Sequence, residues 1–466
     1  MTEPFLLAED EGSMNYRASQ ILDGKIPLVD LDDHKTPIPL FLAASGFALM
    51  GDSVLTSRIL MVLVHTIGAF LIVLLGRRMF SLSAGILGAV VYTIATAHPS
   101  YDVNYLRHEP FLVVFGLGAV LLYLTAMQRV QSRKIFLIFL SGVFIALSYL
   151  SKQPGGIMLP ILALHRLLTD SLSWRNLWSW LRFTSVITLG FVAGFAILLF
   201  PYGAVGGADE LLLGSAGVAR SYVDSLSQRM FFHIELIFSG ALFFPIIFAV
   251  PYLLSLKKRN NIGILLVIWL GIAELSMLVT PTMSAEHVMR ILPPLALMGG
   301  ATLGQVLGFT AKFWPGGRTR LLLIISLMVL LTSLPYLREE LDQRVELIHD
   351  PKVPQREQVA MYIRERTSPE DPILALRFFS VHYLADRPPP TKFFTFGDIN
   401  LQRMMTDDIA DIANELENVK YVIASLDESI EGTAHRFPHI APITNYILEN
   451  YELEAIIGQA VILRHQ

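Results

Sequence analysis

Two carboxylate clusters stand ahead of the first long apolar segment of this chain. Glu9, Asp10 and Glu11 form one; Asp30, Asp32 and Asp33 form the other, joined directly to His34 and Lys35. Carboxylates near a substrate hydroxyl can take its proton as it attacks. A lysine where polar loop gives way to membrane offers a compact charge suited to a phosphate at headgroup depth. Both features also have plainer uses. An acidic run favours the start of a helix, and interfacial lysines commonly reach toward headgroups. Asp30, Asp32 and Asp33 are oxygen ligands for a hard cation, but they lack the spacing of a calcium loop.

Further ionisable side chains lie in or at the ends of apolar segments: Arg58, His65, Glu109, Lys152, Glu235 and Glu274. Placing such a group there costs at least about 2.5 kcal/mol, so each needs a partner or a cavity. Glu109 and Lys152 fall at the same, external ends of their segments and are expected to line one cavity. Arg58 reads equally well as a strut between helices. In "AEHVMRILPPLALMGG", His287 and Arg290 are three apart, which sets both on one helix face at a membrane boundary, above the kink of Pro293 and Pro294. Cations at that depth suit an anionic headgroup; interfacial anchoring is the alternative.

The elements that must position these groups follow from the apolar pattern. Met14, Ala18, Ile21 and Leu22 share one face of a short helix, with Tyr16, Arg17 and Gln20 pointing elsewhere. Gly24 ends it, and Pro37 and Pro39 break the chain before the next element. The segment Ile38–Met50 is apolar but too short to cross, and reads as an interfacial or re-entrant helix. Ten spans are expected, at about 20 apolar residues each. They are Val54–Leu75, Ala84–Ala97, Pro110–Ala126, Ile135–Leu150, Gly155–Leu168, Phe183–Phe200, Phe231–Leu256, Ile262–Thr280, Val288–Phe309 and Leu321–Leu337.

Composition agrees. The chain is 53% hydrophobic and 16% charged, against roughly 25% charged in soluble proteins, and its mean hydropathy is +0.52. The formal net charge of −4 suggests no nucleic-acid partner, and the absence of cysteine excludes disulfides and thiol chemistry. Basic residues concentrate in alternate loops, at Arg77 and Arg78, at Arg129, Arg133 and Lys134, and at Lys257, Lys258 and Arg259. The positive-inside rule puts those loops in the cytoplasm and the acidic N-terminal stretch outside. An external start without a leader is expected either to follow a spanning helix that this sequence does not include, the favoured reading, or to be short enough to be carried across. The long loop Tyr202–Met230 also faces outside and could gate a cavity.

After Arg338 charges become frequent. "REQVAMYIRERT" and "LQRMMTDDIADIANELENV" have helical spacing, "DPILAL" and "KYVIASL" read as strands, and "EAIIGQAVILRH" reads as a closing hairpin. The expected architecture is thus an all-α polytopic membrane bundle with a C-terminal extracytoplasmic α/β domain. Residues 1–53 form an external loop with juxtamembrane helices, residues 54–337 the transmembrane part and residues 338–466 the terminal domain.

The stretch from "DEGSMNYRASQILDGKIPLVDLDDHKTPIP" into the first span resembles the first external loop of GT-C glycosyltransferases, most nearly the bacterial group related to protein O-mannosyltransferases and aminoarabinose transferases. The likeness continues through "RHEPFLVVFGLGAVLLYL", "GVFIALSYLSKQPGGIMLP" and "HVMRILPPLALMGG". That resemblance implies an enzyme of the membrane that takes a sugar from a polyprenyl-phosphate donor and gives it to a lipid, protein or glycan acceptor, with no cofactor. It implies Asp10 as catalytic acid or base with Glu11 beside it, and Lys35 at the donor phosphate. It also implies Glu109, Lys152, His287 and Arg290 around the cavity; from their charges and positions His287 and Arg290 are further candidates for that phosphate, and Asp33, His34 and Arg58 for the cavity lining. The competing reading is a transporter or flippase for a lipid-linked or anionic solute, for which internal repeats and interrupted mid-membrane helices are expected.

Overall fold

The computed structural model describes residues 8–33, 35–98, 105–170, 173–216, 242–256, 261–279, 284–313, 353–397, 400–401, 404–427 and 430–466. The chain opens with helix α1 (Glu9–Leu22) and the apolar α2 (Ile38–Met50). The bundle follows: α3 (Val54–Met79), α4 (Leu82–Thr96), α5 (Glu109–Ala126), α6 (Gln131–Ser151), α7 (Met158–Thr169) and α8 (Trp174–Ala204). Then come α9 (Ala208–Ala216), α10 (Phe243–Leu254), α11 (Asn261–Val279) and α12 (Leu292–Phe313). Among the described residues six helices are long and apolar enough to cross a membrane: those of α3, α5, α6, α8, α11 and α12. Helices α2, α4 and the Pro245–Leu254 part of α10 are apolar but shorter. The expected span Phe231–Leu256 is described only from residue 242, and Leu321–Leu337 lies outside the described residues.

Lipid-facing surfaces and packed surfaces separate by residue size. Leu55, Val62 and Phe70 of α3 and Leu189, Ile197 and Phe200 of α8 are exposed, as a bilayer demands. Where helices touch, glycine lets backbones approach. A Cβ on Gly142 of α6 would lie 2.0 Å from the carbonyl oxygen of Ile187 in α8, and one on Gly190 equally close to that of Phe139. No side chain fits at that crossing.

The C-terminal domain contains α13 (Gln355–Arg364), α14 (Ser380–Ala385), α15 (Thr406–Glu415), α16 (Ile430–Arg436) and α17 (Ala441–Asn450). They pack on strands β1 (Ile373–Ala375), β2 (Tyr421–Ser425), β3 (Tyr451–Ile457) and β4 (Ala460–His465). The sheet order is β1-β2-β4-β3. β1 runs parallel to β2, and β4 is antiparallel to both β2 and β3. The expected strands and closing hairpin all form, with Gly458 at φ +56° in the hairpin turn, a conformation that glycine adopts without steric cost.

Helix α1 is longer and more enclosed than its apolar spacing predicts. Met14 and Ala18 pack on Leu40, Phe47 and Met61 of α2 and α3. Tyr16 and Arg17, expected to point away, are buried as well, because the C-terminal domain covers the other side. The Tyr16 ring lies 5.0 Å from Phe394 and 5.6 Å from His382. The Arg17 guanidinium lies 4.4 Å above Phe394, and Tyr383 donates to Asp52 at 2.8 Å. Leu22, counted on the apolar face, is 47% exposed at the helix end.

Candidate active site

Successive residues of an α-helix point about 100° apart. The three acids that open α1 therefore aim in three directions, and each meets an arginine from a different part of the chain. Glu9 pairs with Arg356 of α13 at 2.5 Å, and its other oxygen accepts the amide of Ser380 at 2.9 Å. Asp10 pairs with Arg107, just before α5. Glu11 accepts from Nε and a terminal nitrogen of Arg58 in α3, each at 2.6 Å. Exposure separates the neighbours: the Asp10 side chain is 45% exposed, that of Glu11 not at all. Burial pushes the Glu11 carboxyl above its usual pKa, against the opposing charge and hydrogen bond of Arg58. Asp10 is thus the open carboxylate, and Glu11 faces inward as an anchor.

A 3-10 helix, Ala285–Arg290, stands across from α1. Its three-residue turn sets His287 and Arg290 on one edge. Arg107 connects it to α1: besides Asp10 it lies 3.5 Å from Glu286. Burial opposes the Arg107 charge, but Asp10 and Glu286 outweigh it and raise its pKa. Glu109, at the start of α5, forms an ion pair with Lys152, which follows α6. Lys152 Nζ lies 3.3 Å from His287 Nε2. Burial, with the charges of Lys152 and Arg290, holds His287 well below its usual pKa, so its neutral ring accepts from the lysine. Arg290 is buried, its pKa lowered by that burial to about 10, and its NH1 approaches Ser276 Oγ at 3.5 Å. Lys35 is among the charges acting on Lys152 and His287.

These groups converge at one end of the bundle. Of the expected site residues, Asp10, Lys35, Glu109, Lys152, His287 and Arg290 come together there. Arg58 serves Glu11. Asp33 is buried and lies 3.4 Å from Arg17, with one carboxylate oxygen accepting the Lys35 amide at 3.1 Å; it shapes the loop that carries Lys35. His34 lies outside the described residues, as do residues 217–230 of the loop expected to gate the cavity; its earlier part forms the end of α8 and α9.

Three residues of the site are absent from the candidates drawn from the sequence: Arg107, His108 and Glu286. His108 is 1% exposed, and neither ring nitrogen has a hydrogen-bond partner among the described residues. Burial and the Lys35 charge hold it neutral, well below its usual pKa. The signal for the first two is the run Arg107-His108-Glu109, three ionisable groups abutting a spanning segment. Glu286 is marked only by its neighbour His287. Ligand atoms of Glu109, Glu286 and His287 lie within 4.8 Å of one another, a set able to hold a divalent cation. Lys152 and Arg107 already neutralise the two carboxylates.

Residues 34–198 match the family model described as dolichyl-phosphate-mannose-protein mannosyltransferase. Among solved structures, ArnT from Cupriavidus metallidurans in the apo state superposes with a TM-score of 0.64 at 15% identity, over 98% of this chain and 93% of ArnT. The same protein bound to undecaprenyl phosphate gives 0.64 at 14%, over 98% and 94%. The archaeal oligosaccharyltransferase AglB from Archaeoglobus fulgidus, in complex with an inhibitory peptide and a dolichol-phosphate, gives 0.55 at 14%, over 98% and 70%. The chain has the GT-C glycosyltransferase fold. Comparison with curated protein sequences finds no match. The family match takes in Lys35, Arg58, Arg107, His108, Glu109 and Lys152. Helix α1 and the 3-10 helix lie outside it and join the site by geometry.

Proposed function

We propose that the protein is a membrane glycosyltransferase. In this reading it moves a sugar from a polyprenyl-phosphate donor to an acceptor hydroxyl, on the non-cytoplasmic side, by a single inverting displacement with Asp10 as base. One observation carries the reading. Arg107 spans from the exposed carboxylate of Asp10 to Glu286, on the same 3-10 helix as His287 and Arg290. In this reading a proton acceptor and a cluster of cations face one space. The lipid phosphates bound in ArnT and AglB are of the class those cations would hold.

The chemistry follows from the two sides of that space. A hydroxyl is a poor nucleophile until a carboxylate removes its proton, an effect of about 10²–10⁴-fold. Asp10 takes that proton as the hydroxyl oxygen bonds to the anomeric carbon. The bond from that carbon to the phosphate oxygen breaks, and the departing lipid phosphate carries the electron pair. Lys35, Lys152 and Arg290 stabilise the growing negative charge. His108, neutral and enclosed, can donate to a phosphate oxygen. Arg290 also lines a small hollow whose other walls are mostly apolar side chains, including Leu112, Met158 and Trp269.

The test uses purified protein with radiolabelled mannosyl-, glucosyl- and aminoarabinosyl-undecaprenyl phosphate, and cell-envelope extract as acceptor. Transfer from one donor supports the reading. Asp10→Asn is expected to lose at least a hundredfold in rate while keeping its melting temperature and its binding of undecaprenyl phosphate. An Asp10→Asn variant with the wild-type rate overturns the assignment of the base.

A further inference from the structure

We infer that Glu9 is a positioning residue through which the C-terminal domain sets the aim of Asp10. The inference rests on Asp10 acting as base, and it concerns how that base is held.

Within α1 the first turn is held by the Gly12 amide on the Ala8 carbonyl and the Ser13 hydroxyl on the Asp10 carbonyl. Its N-cap is Ala8, which makes no side-chain cap. Further anchors come from outside, on both sides of Asp10 and in addition to its own pair with Arg107. Glu11 is anchored to α3 of the bundle by the two bonds from Arg58. Glu9 is anchored to the C-terminal domain by the Arg356 pair and the Ser380 amide, one on each carboxylate oxygen. A carboxylate bound at both oxygens cannot rotate without breaking a bond. Arg356 and Ser380 sit on a stiff base, since α13 and α14 share a core with the sheet through Val359, Ile363, Val381, Ile373 and Ile423.

The geometry divides the labour between the two anchors. Removal of the Glu11 anchor leaves a buried charge and threatens the fold. Glu9 and Arg356 are 25% and 35% exposed, so loss of their pair contributes little to stability. Farther along α1, Tyr16 and Arg17 pack on Phe394, and Arg17 reaches Thr395 Oγ1 at 3.4 Å. The helix therefore stays docked when Glu9 is altered, and the change falls on the start of its first turn, where Arg107 still pairs with Asp10 and Arg58 with Glu11. That turn carries the base, and a misplacement of about 1 Å in a reacting group can cost about a hundredfold in rate.

The experiment compares Glu9→Gln, Arg356→Gln, the double variant and Arg356→Lys, with Asp10→Asn alongside. Each is assayed in the full chain with the undecaprenyl-phosphate sugar that the wild type uses. Both single variants are expected to lose about tenfold in kcat, with KM for the donor within about twofold. The double variant should be no slower than either single one, since the two act as one contact. Arg356→Lys, which keeps the charge, should recover part of the loss, and melting temperatures should stay within a few degrees. A wild-type kcat in Glu9→Gln, additive losses, or a change confined to KM overturns the inference. If Asp10→Asn is inactive while Glu9→Gln runs at the wild-type rate, only this inference fails. If Asp10→Asn is fully active, the base and this inference fall together. Arg356→Gln reads the same contact from the other side should Glu9→Gln not fold.

Discussion

Arg58 holds Glu11 through two parallel hydrogen bonds of 2.6 Å, with the carboxylate fully buried and the guanidinium about a quarter exposed. The adjacent acids of α1 thus have opposite environments, and the Arg58–Glu11 pair belongs to the scaffold. Removing Arg58 strands a buried carboxylate, a loss of about 3–5 kcal/mol.

The pH dependence of that loss has a definite sign. Burial has raised the Glu11 pKa above its usual 4.5. An acid with a raised folded pKa binds its proton more readily folded than unfolded, so stability falls as pH rises above 4.5. Arg58→Met should therefore melt lower than the wild type at pH 8 and recover toward it as the pH is lowered to 5 and Glu11 takes up a proton. Adding Glu11→Gln to Arg58→Met should restore part of the melting temperature at pH 8. Equal losses at both pH values would show that the cost is lost packing by Arg58.

His382 gives a trend of the opposite sign. It is fully buried between Tyr16 of α1 and Phe394, and its Nδ1 lies 3.0 Å from the carbonyl oxygen of Arg387. Burial lowers its pKa from 6.5 to about 4. A base with a depressed folded pKa stays neutral in the fold while the unfolded chain takes up the proton. Stability is then lost as pH falls from about 6.5 to about 4, by roughly 3 kcal/mol in all. The contact between α1 and the C-terminal domain should loosen in that window. His382→Phe should flatten the change in melting temperature between pH 7 and pH 4.5; an unchanged slope assigns it to other groups.

The sequence was legible wherever a local rule governs. Period-3.6 and apolar-run patterns recover α2, α3, α5, α13, α15 and the strands of the C-terminal domain, because those elements depend on their own residues; α14, α16 and α17 carry no such pattern in the sequence reading. The acid pair, Lys35 and the His287–Arg290 spacing stand out in the sequence for the same reason, as candidates for the two walls of a site. What a local rule cannot show is which charge meets which. Arg107 reads as one cation in a short loop until the fold brings it between Asp10 and Glu286. Tyr16 and Arg17 read as a polar face because the domain that covers them is more than 350 residues away in the chain. Asp10 and Glu11 read alike in sequence. They are told apart only by orientation around α1.

The cluster of cations makes an expectation about the lipid phosphate that is independent of catalysis. Lys35 and Lys152 are point charges near His108, whose neutral ring has two unused nitrogens among the described residues. A hydrogen bond to a charged group is worth about 1.5–3 kcal/mol. Lys35→Ala should thus weaken undecaprenyl phosphate binding by tenfold or more, and His108→Phe by less, in native mass spectrometry of the detergent-solubilised protein. Unchanged binding in Lys35→Ala would place the phosphate elsewhere.

Glu109, Glu286 and His287 define a separate test. Their ligand atoms are close enough to share a cation, but Lys152 and Arg107 are already paired with the two carboxylates. Transfer is expected to persist in EDTA. Glu286→Gln should release Arg107 from one partner and lower kcat, with or without the chelator. Activity abolished by EDTA and restored by Zn²⁺ or Mn²⁺ would assign those carboxylates to a metal.

Orientation can be read from the geometry of α5 and α6 together with charge. Glu109 opens α5 and Lys152 follows α6, and their ion pair puts both at the same end of the bundle. The loop between these helices, with Arg129, therefore lies at the opposite end. Arg78 joins it there, donating to Leu124 and Gln128. Basic loops favour the cytoplasm, so Asp10 and the C-terminal domain that packs on α1 should face outward. The chain has no cysteine, which makes single substitutions unambiguous reporters. In intact cells a membrane-impermeant maleimide should label Glu417→Cys on the C-terminal domain, and should label Arg129→Cys only after permeabilisation. The reverse pattern would turn the site toward the cytoplasm and exclude transfer on the outer side.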